Sequence, residues 1–367
     1  DAILQFLYFD YVPQPKTIYD NIYKLLPGHY IKIQGRRKII IKKYWDIDLN
    51  NKISDGPNII NDFRELFKDS VRIRQKADVK YGAFLSGGMD SSAVIANMNG
   101  WFSTYTIGFE KATNNKDIQR SQLFLKNYPG ENYLTKIGDE SLDNLIDFMS
   151  ILDEPISESS IVSLLANFQE VKNRNVKVIL TGDGADEILG GYNYFEWIYQ
   201  YYGSSGIQNI YYNLILKSIS SFLKGFDSRH SLGKYRDLYI KRLLLILKSK
   251  NISHLHQYMF SARNLHSLSK LFKNDFNIIY DSLVNYKSFD TNPTVDAMLY
   301  NETKTALINR HVSKLDKVSM SKSIEARVPF LDHRLVNYVF SLPTHWRRNK
   351  KILKEAMQNK IPNEIIY

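Results

Sequence analysis

The stretch "YGAFLSGGMDSSAVIANM" (residues 81–98) joins an apolar strand pattern to an apolar helical one through two glycines, a carboxylate and three hydroxyls. A turn needs one glycine and a helix cap needs one serine. The surplus reads as a phosphate site. The strand runs over residues 81–85, and the helix starts near Ser91 or Ser92, either of which is a natural N-cap. Backbone N–H groups of a turn at Gly87 and Gly88, with those of the first helical turn, make an anion nest. The hydroxyls of Ser86, Ser91 and Ser92 add donors. No lysine follows the glycines, so the loop is not of the G-K-S/T type. Asp90 is the odd member: a carboxylate beside phosphates is repelled unless a divalent cation lies between them, so it predicts Mg²⁺. A capped turn holding no ligand would explain one serine but not the whole set.

A second stretch, "VKVILTGDGADEILGGY" (residues 176–192), repeats the plan with three carboxylates in the loop: Asp183, Asp186 and Glu187. Favourable acids in the first turn of a helix account for Glu187. They do not account for glycines interleaved with Asp183 and Asp186. Two strand-end loops on one parallel sheet face the same crevice, at the carboxyl edge where ligands of open α/β sheets bind.

The rest of the chain supports such a sheet. Strand-like runs at residues 81–85, 103–109, 132–136 and 176–180 alternate with helical patterns, including "DESLDNLIDFMSIL" and "SIVSLLANFQEVKNR". That alternation predicts an α/β fold, a parallel sheet with helices on both faces. Residues 59–76, with apolar Ile60, Phe63, Phe67 and Val71, form a helix before it. Earlier still, "LLPGHYIKIQGRRKIIIKKYWDI" alternates about Gln34 and Gly35, a hairpin whose sheet lies elsewhere because a lone hairpin is marginal in water. "NNKISDGPN" (residues 50–58) is a linker. After Gly191 strand signals nearly vanish, and an all-helical subdomain is expected. A third constellation, "KLDKVSMSKSIEARVPFLD" (residues 314–332), puts Asp316 and Lys317 near a helix end and Glu325 and Arg327 on an extended run before Pro329. Alone it suits either an ion pair locking two segments or a substrate contact.

"LSGGMDSS" resembles the pyrophosphate loop of the N-type ATP pyrophosphatases. With "DEPISESS", "TGDGADEILGGYNYF" and "VSMSKSIEARVPFLDHRLVNYVFSLP", it resembles the synthetase domain of the glutamine-dependent asparagine synthetase family. The opening "FLYFDYVPQPKTIYDNIYKLLPGHYIKI" is similar to the segment leaving that family's glutaminase domain. The resemblance implies a tail of the glutaminase domain over residues 1–56, a PP-loop ATP-binding α/β domain over 57–198 and a helical part of the synthetase domain over 199–367. It implies adenylation of the aspartate side chain with release of pyrophosphate, then attack by ammonia to give asparagine. ATP and Mg²⁺ are the implied cofactors; aspartate, ammonia and the glutaminase domain are the implied partners, and a homodimer is compatible. By matching position, Asp90 and Asp186 hold the metal, Phe84 and Ile107 present backbone to adenine, and Thr181 and Gly182 lie against the nucleotide. Asp183 serves the acyl-adenylate step, while Glu187, Asp153 and Glu154 orient the substrate's amino end. Lys317 is expected to be catalytic, and Glu325 and Arg327 to touch substrate.

Three departures shape these expectations. The family's glutaminase nucleophile is a cysteine and the chain has none, so it should not hydrolyse glutamine. Relatives continue past the final "IPNEIIY" into a basic stretch carrying a lysine, so the chain is expected to be a fragment. Tyr194 stands where many relatives have arginine, which leaves the acceptor open: a peptide, sugar acid or β-amino acid carboxylate is an alternative to aspartate.

Composition bounds the remainder. The chain has 367 residues, of which 44% are hydrophobic and 24% charged, as in ordinary globular proteins. Its longest apolar run, residues 243–247, falls far short of the roughly 18 a membrane span needs. With no membrane segment, no secretory signal and no cysteine, the cytoplasm follows by elimination. Net charge is 49 − 38 = +11, concentrated over residues 224–273, where only Asp227 and Asp237 are acidic. Without base-reading elements among them these residues read as a solvated face; an RNA-modifying PP-loop enzyme is the nucleic-acid alternative. His254 and His256 lack a third ligand nearby, and the tyrosines after Gly191 read as packing between domains.

Overall fold

The alternation about Gly35 does form a hairpin. Strands β1 (His29–Gln34) and β2 (Lys38–Lys43) pair antiparallel with Ile31 opposite Ile41 and Ile33 opposite Ile39. Among the described residues this sheet has two strands, and those four isoleucines are exposed. Before it lies α1 (Ala2–Phe9), and Tyr8, Phe9, Tyr11 and Val12 are buried. The computed structural model describes residues 2–35, 38–109, 115–128, 130–138, 143–150, 152–202 and 295–367. The basic run, the histidine pair and the later tyrosines of the sequence reading lie outside them.

Among the described residues the main sheet has five strands: β3 (Tyr81–Phe84), β4 (Ser103–Phe109), β5 (Glu131–Ile137), β6 (Val178–Leu180) and β7 (Glu325–Arg327). Their order is β5–β4–β3–β6–β7, and every neighbouring pair is parallel. The chain winds outward from β3 through β4 to β5, then returns to place β6 on the other side of β3. The order therefore reverses between β3 and β6, and a doubly wound sheet opens its ligand crevice at such a switch point.

Side-chain alternation sends successive strand residues to opposite faces. Ala83, Leu85, Val178 and Leu180 join a core with Phe63, Phe67 and Val71 of α2 (Ile59–Arg74). That core also takes Val94 of α3 (Met89–Ile95) and Phe124 of α4 (Lys116–Leu125). Ile179 and Tyr105 point the other way, against Leu165 and Phe168 of α6 (Ser160–Asn173) and Leu315 and Val318 of α10 (Ser313–Ser321). Between α4 and α6 lies α5 (Asp143–Met149). After β6 come α7 (Ala185–Leu189) and α8 (Asn193–Tyr202); α9 (Val295–Lys304) precedes a π-helical turn, Leu307–Val312. The chain closes with α11 (His333–Ser341), α12 (Lys351–Ala356) and α13 (Asn363–Ile366). Among the described residues after Gly191 (192–202 and 295–367) the expected helices are present, with one addition: β7 extends the sheet beside β6, Glu325 N donating to Lys177 O at 2.9 Å and Thr181 N to Arg327 O at 2.9 Å. Among the described residues no helix is long and apolar enough to cross a membrane.

Candidate active site

The two glycine-rich loops meet at the switch point. A Cβ placed on Gly182 would lie 2.8 Å from Ser91 N and 2.9 Å from the Asp90 carbonyl carbon, so only glycine lets the β6 loop pass this close to the start of α3. Helix α3 begins at Met89 with Gly88 as its N-cap, earlier than the serine cap expected from sequence. Ser91 has another task. Its hydroxyl accepts from Ser86 N at 3.1 Å and donates to Gly88 O at 3.2 Å, and Ser86 Oγ accepts from Gly88 N at 3.3 Å. These bonds hold the turn in shape, with Gly87 at φ 74°. The loop is thus organised in advance by its own hydroxyls.

A cavity of about 420 Å³ opens here. Phe84, Ser86, Asp90, Ser91 and Ile107 line it from the β3 and β4 side, and Thr181, Gly182, Asp183, Asp186 and Glu187 from the β6 side. Gly87, Gly88 and Ser92 belong to the same loop, with Ser92 fully buried. Three buried atoms at this junction have no hydrogen-bond partner: Asp90 Oδ1, Ser92 Oγ and Thr181 Oγ1. Buried polar atoms are normally satisfied, so three orphans drawn from both loops mark a place built for a polar ligand. They also bear on magnesium. Mg²⁺ takes one or two carboxylates and completes its shell with phosphate oxygens and water. Asp90, with its orphaned oxygen, and Asp186 fit that donor set. No group of three or more acidic, histidine or cysteine side chains able to hold a metal occurs among the described residues.

Electrostatics sharpen the picture. Burial pushes Asp90 up to about 6 against the pull of Lys350, with Asp186 and Asp183 adding repulsion. Lys350 Nζ lies 2.5 Å from Asp90 Oδ2 and 2.6 Å from Asp186 Oδ1; these two carboxylates outweigh burial and hold the ammonium above its ordinary value. Deeper in, burial pushes Glu187 up to about 8, while Tyr192 donates its hydroxyl to Glu187 Oε1 at 2.5 Å. His311 Nε2 stands 3.9 Å from the same oxygen, and burial holds the ring near 4, neutral at physiological pH. A buried acid kept protonated beside a neutral histidine will ionise when a cation arrives to pair with it.

The remaining candidates lie elsewhere. Asp153 pairs with Lys317 at the surface, and Glu154 with Lys24 at 2.5 Å. Arg327 donates to the carbonyls of Arg74 and Lys76, both at 2.8 Å, and pairs with Glu325 at 2.9 Å, tying β7 to the end of α2. None of these five lines the cavity. Three residues that do belong to the site escaped the sequence reading: Tyr192, His311 and Lys350. Tyr192 closes the second quoted stretch, whereas His311 and Lys350 leave no mark in the sequence; the π-helical turn that carries His311, of a kind that gathers at functional sites, shows only in the structure.

A doubly wound parallel sheet with a glycine-rich, acid-flanked crevice at its switch point is the architecture of an α/β nucleotide-binding protein. The family model described as asparagine synthase matches residues 62–367, and the chain belongs to that family. Asparagine synthetase (glutamine-hydrolyzing) 1 of Bacillus subtilis is 23% identical over 380 residues, covering all of this chain and 57% of that protein. Amidase chry2 of Gibberella zeae is 23% identical over 395 residues, covering 95% of this chain and 58% of that protein. The chain thus spans little more than half the length of the curated relatives it matches. Among solved structures, the U34-tRNA thiolase NcsA of Methanococcus maripaludis gives a TM-score of 0.29 at 12% identity, over 73% of this chain and 82% of that one, too slight a likeness to argue from.

Proposed function

We propose that the chain is the synthetase part of an ATP-dependent amide-forming ligase that converts the side-chain carboxylate of aspartate to the amide of asparagine. The observation that carries this reading is the meeting of Gly182 with Asp90 and Ser91, which puts a hydroxyl- and glycine-rich loop and three carboxylates around one cavity. In the first step a carboxylate oxygen of the acceptor attacks the α-phosphorus of ATP, the α–β bridging bond breaks and pyrophosphate leaves. In the second, ammonia attacks the acyl carbon, AMP departs and a proton is lost. Ammonia would come from a glutaminase domain, of which residues 1–56 are the tail.

Each residue then has a physical task. The 86–92 loop offers backbone N–H groups to the departing pyrophosphate, and donors aimed at developing charge are worth most where water is excluded. Asp90 and Asp186 would hold Mg²⁺, which neutralises charge on the leaving group. Lys350, beside both, offers its ammonium to the phosphates. Phe84 and Ile107 at the strand ends face the base, and Asp183 faces the acyl-adenylate. Glu187 receives the acceptor's ammonium group, whose approach supplies the charge that ionises it.

The test is to incubate the chain with Mg·ATP, aspartate and ammonium and to identify the nucleotide product. AMP and pyrophosphate in step with asparagine are expected. ADP and phosphate, or no Mg·ATP binding by a folded chain, would contradict the reading. Pyrophosphate release with a different carboxylate, in a screen of peptides, sugar acids and β-amino acids, would keep the chemistry and replace the acceptor.

A further inference from the structure

Lys350 does more than approach the acids: it occupies the space between them. Its Nζ is within 2.6 Å of an oxygen on each of Asp90 and Asp186, and its side chain is only 12% exposed. The backbone is bent to deliver it. Asn349 (φ 49°, ψ 41°) and Lys350 (φ 57°, ψ 30°) are consecutive left-handed residues, an unfavourable pair of conformations for side chains that carry a Cβ. Space is reserved as well, because a Cβ on Gly191 would overlap both Lys350 Cε and Asp186 Oδ1. Strained backbone and a glycine channel converge on one ammonium position.

We propose that Lys350 is the built-in counter-ion of the Asp90–Asp186 pair, and that a divalent cation takes this pair only together with phosphate oxygens that draw Lys350 away. The inference rests on the reading of Asp90 and Asp186 as the metal pair. A metal bound to both carboxylates needs the space between them that the ammonium fills, and two cations cannot share it. Displacing Lys350 strands a largely buried ammonium, which is costly unless another anion receives it. With no third acidic or histidine ligand among the described residues, the metal alone offers no such compensation. A nucleotide does, because its phosphates both complete the metal shell and accept the lysine. The four-carbon stem can swing between the two anions while the backbone stays in place. Metal binding is thereby made conditional on nucleotide, and the acids are protected from a bare cation that would hold the loops without substrate.

The test reads the metal alone. Mn²⁺ is titrated into the nucleotide-free chain, with free aquo ion followed by electron paramagnetic resonance. Wild type is expected to show no saturable site below millimolar Mn²⁺. Lys350→Met should bind one Mn²⁺ at least tenfold more tightly, and Lys350→Met/Asp186→Asn should lose that site. Thermal melting gives a second reading: Mn²⁺ should raise the midpoint of Lys350→Met but not that of wild type. Should the methionine variant fail to fold, Lys350→Gln, which keeps a donor, carries the same titration. Equal Mn²⁺ affinity in wild type and variant would overturn the proposal, as would a variant site that survives Asp186→Asn. Mg·ATP binding to wild type, measured separately, reports on the proposed function and can hold while this inference fails.

Discussion

At the scale of single residues, the site and its surroundings hold acids that burial keeps protonated. Glu302 is 1% exposed, and burial pushes it up to about 8 although Arg310 pulls the other way. Raised from an ordinary 4.5, the folded chain holds this proton more tightly than the unfolded one does. Its contribution to stability is therefore complete below about pH 4.5 and is lost as pH climbs toward 8. Glu302→Gln removes the ionisation with little change of shape. Chemical denaturation between pH 5 and 9 should show the variant gaining on wild type as pH rises; parallel curves would contradict the assignment. Such residues are poorly legible in a sequence, where a glutamate inside a helix looks like any surface acid. Burial is a tertiary fact, and neither Glu302 nor His311 belongs to a motif that announces it.

Among the elements, legibility followed how much each is determined by its own sequence. Helix α2 was readable because Phe63, Phe67 and Val71 recur at helical spacing, and all three are fully buried. Strand β7 was not, because "EAR" is only three residues, two of them charged, and its extended form is imposed by pairing with β6. The start of α3 was displaced for a local reason: the Ser91 hydroxyl bonds back into the turn, leaving the cap to Gly88. Where the cap is a side chain, its effect can be measured. Asp332 accepts from Arg334 N at 2.9 Å at the head of α11 and pairs with Arg74 at 3.0 Å, while remaining 3% exposed. Although burial opposes it, these partners hold its carboxyl well below the usual range. Asp332→Ala should cost about 2 kcal/mol, combining a lost cap with the loss of a carboxylate partner by the half-buried Arg74. Asp332→Asn keeps the capping acceptor and should cost less. Urea midpoints for the two variants check the order; equal losses would show that the cap contributes nothing.

Over the whole molecule, the decisive feature is that loops some ninety residues apart in sequence share one crevice. That much was legible, because strand–helix alternation and the rule of the switch point together require it. What remained hidden comes from the carboxyl-terminal third. His311 and Lys350 return to the site from segments whose patterns specify only helices, and the chain's path back to the sheet cannot be read from them. Several candidates do not line the cavity. Asp153, Glu154 and Lys317 carry the right chemistry, but the fold pairs them with other side chains, Lys317 taking the exposed Asp153 and Lys24 taking the largely covered Glu154. The most direct measurement is a crystal structure of the chain with Mg²⁺ and an ATP analogue whose α–β bridge cannot be cleaved. The triphosphate should lie between the 86–92 and 181–187 loops, with metal on Asp90 and Asp186 and the α-phosphorus turned toward Asp183. A nucleotide bound anywhere else, or one in this cavity touching neither aspartate, would contradict the account.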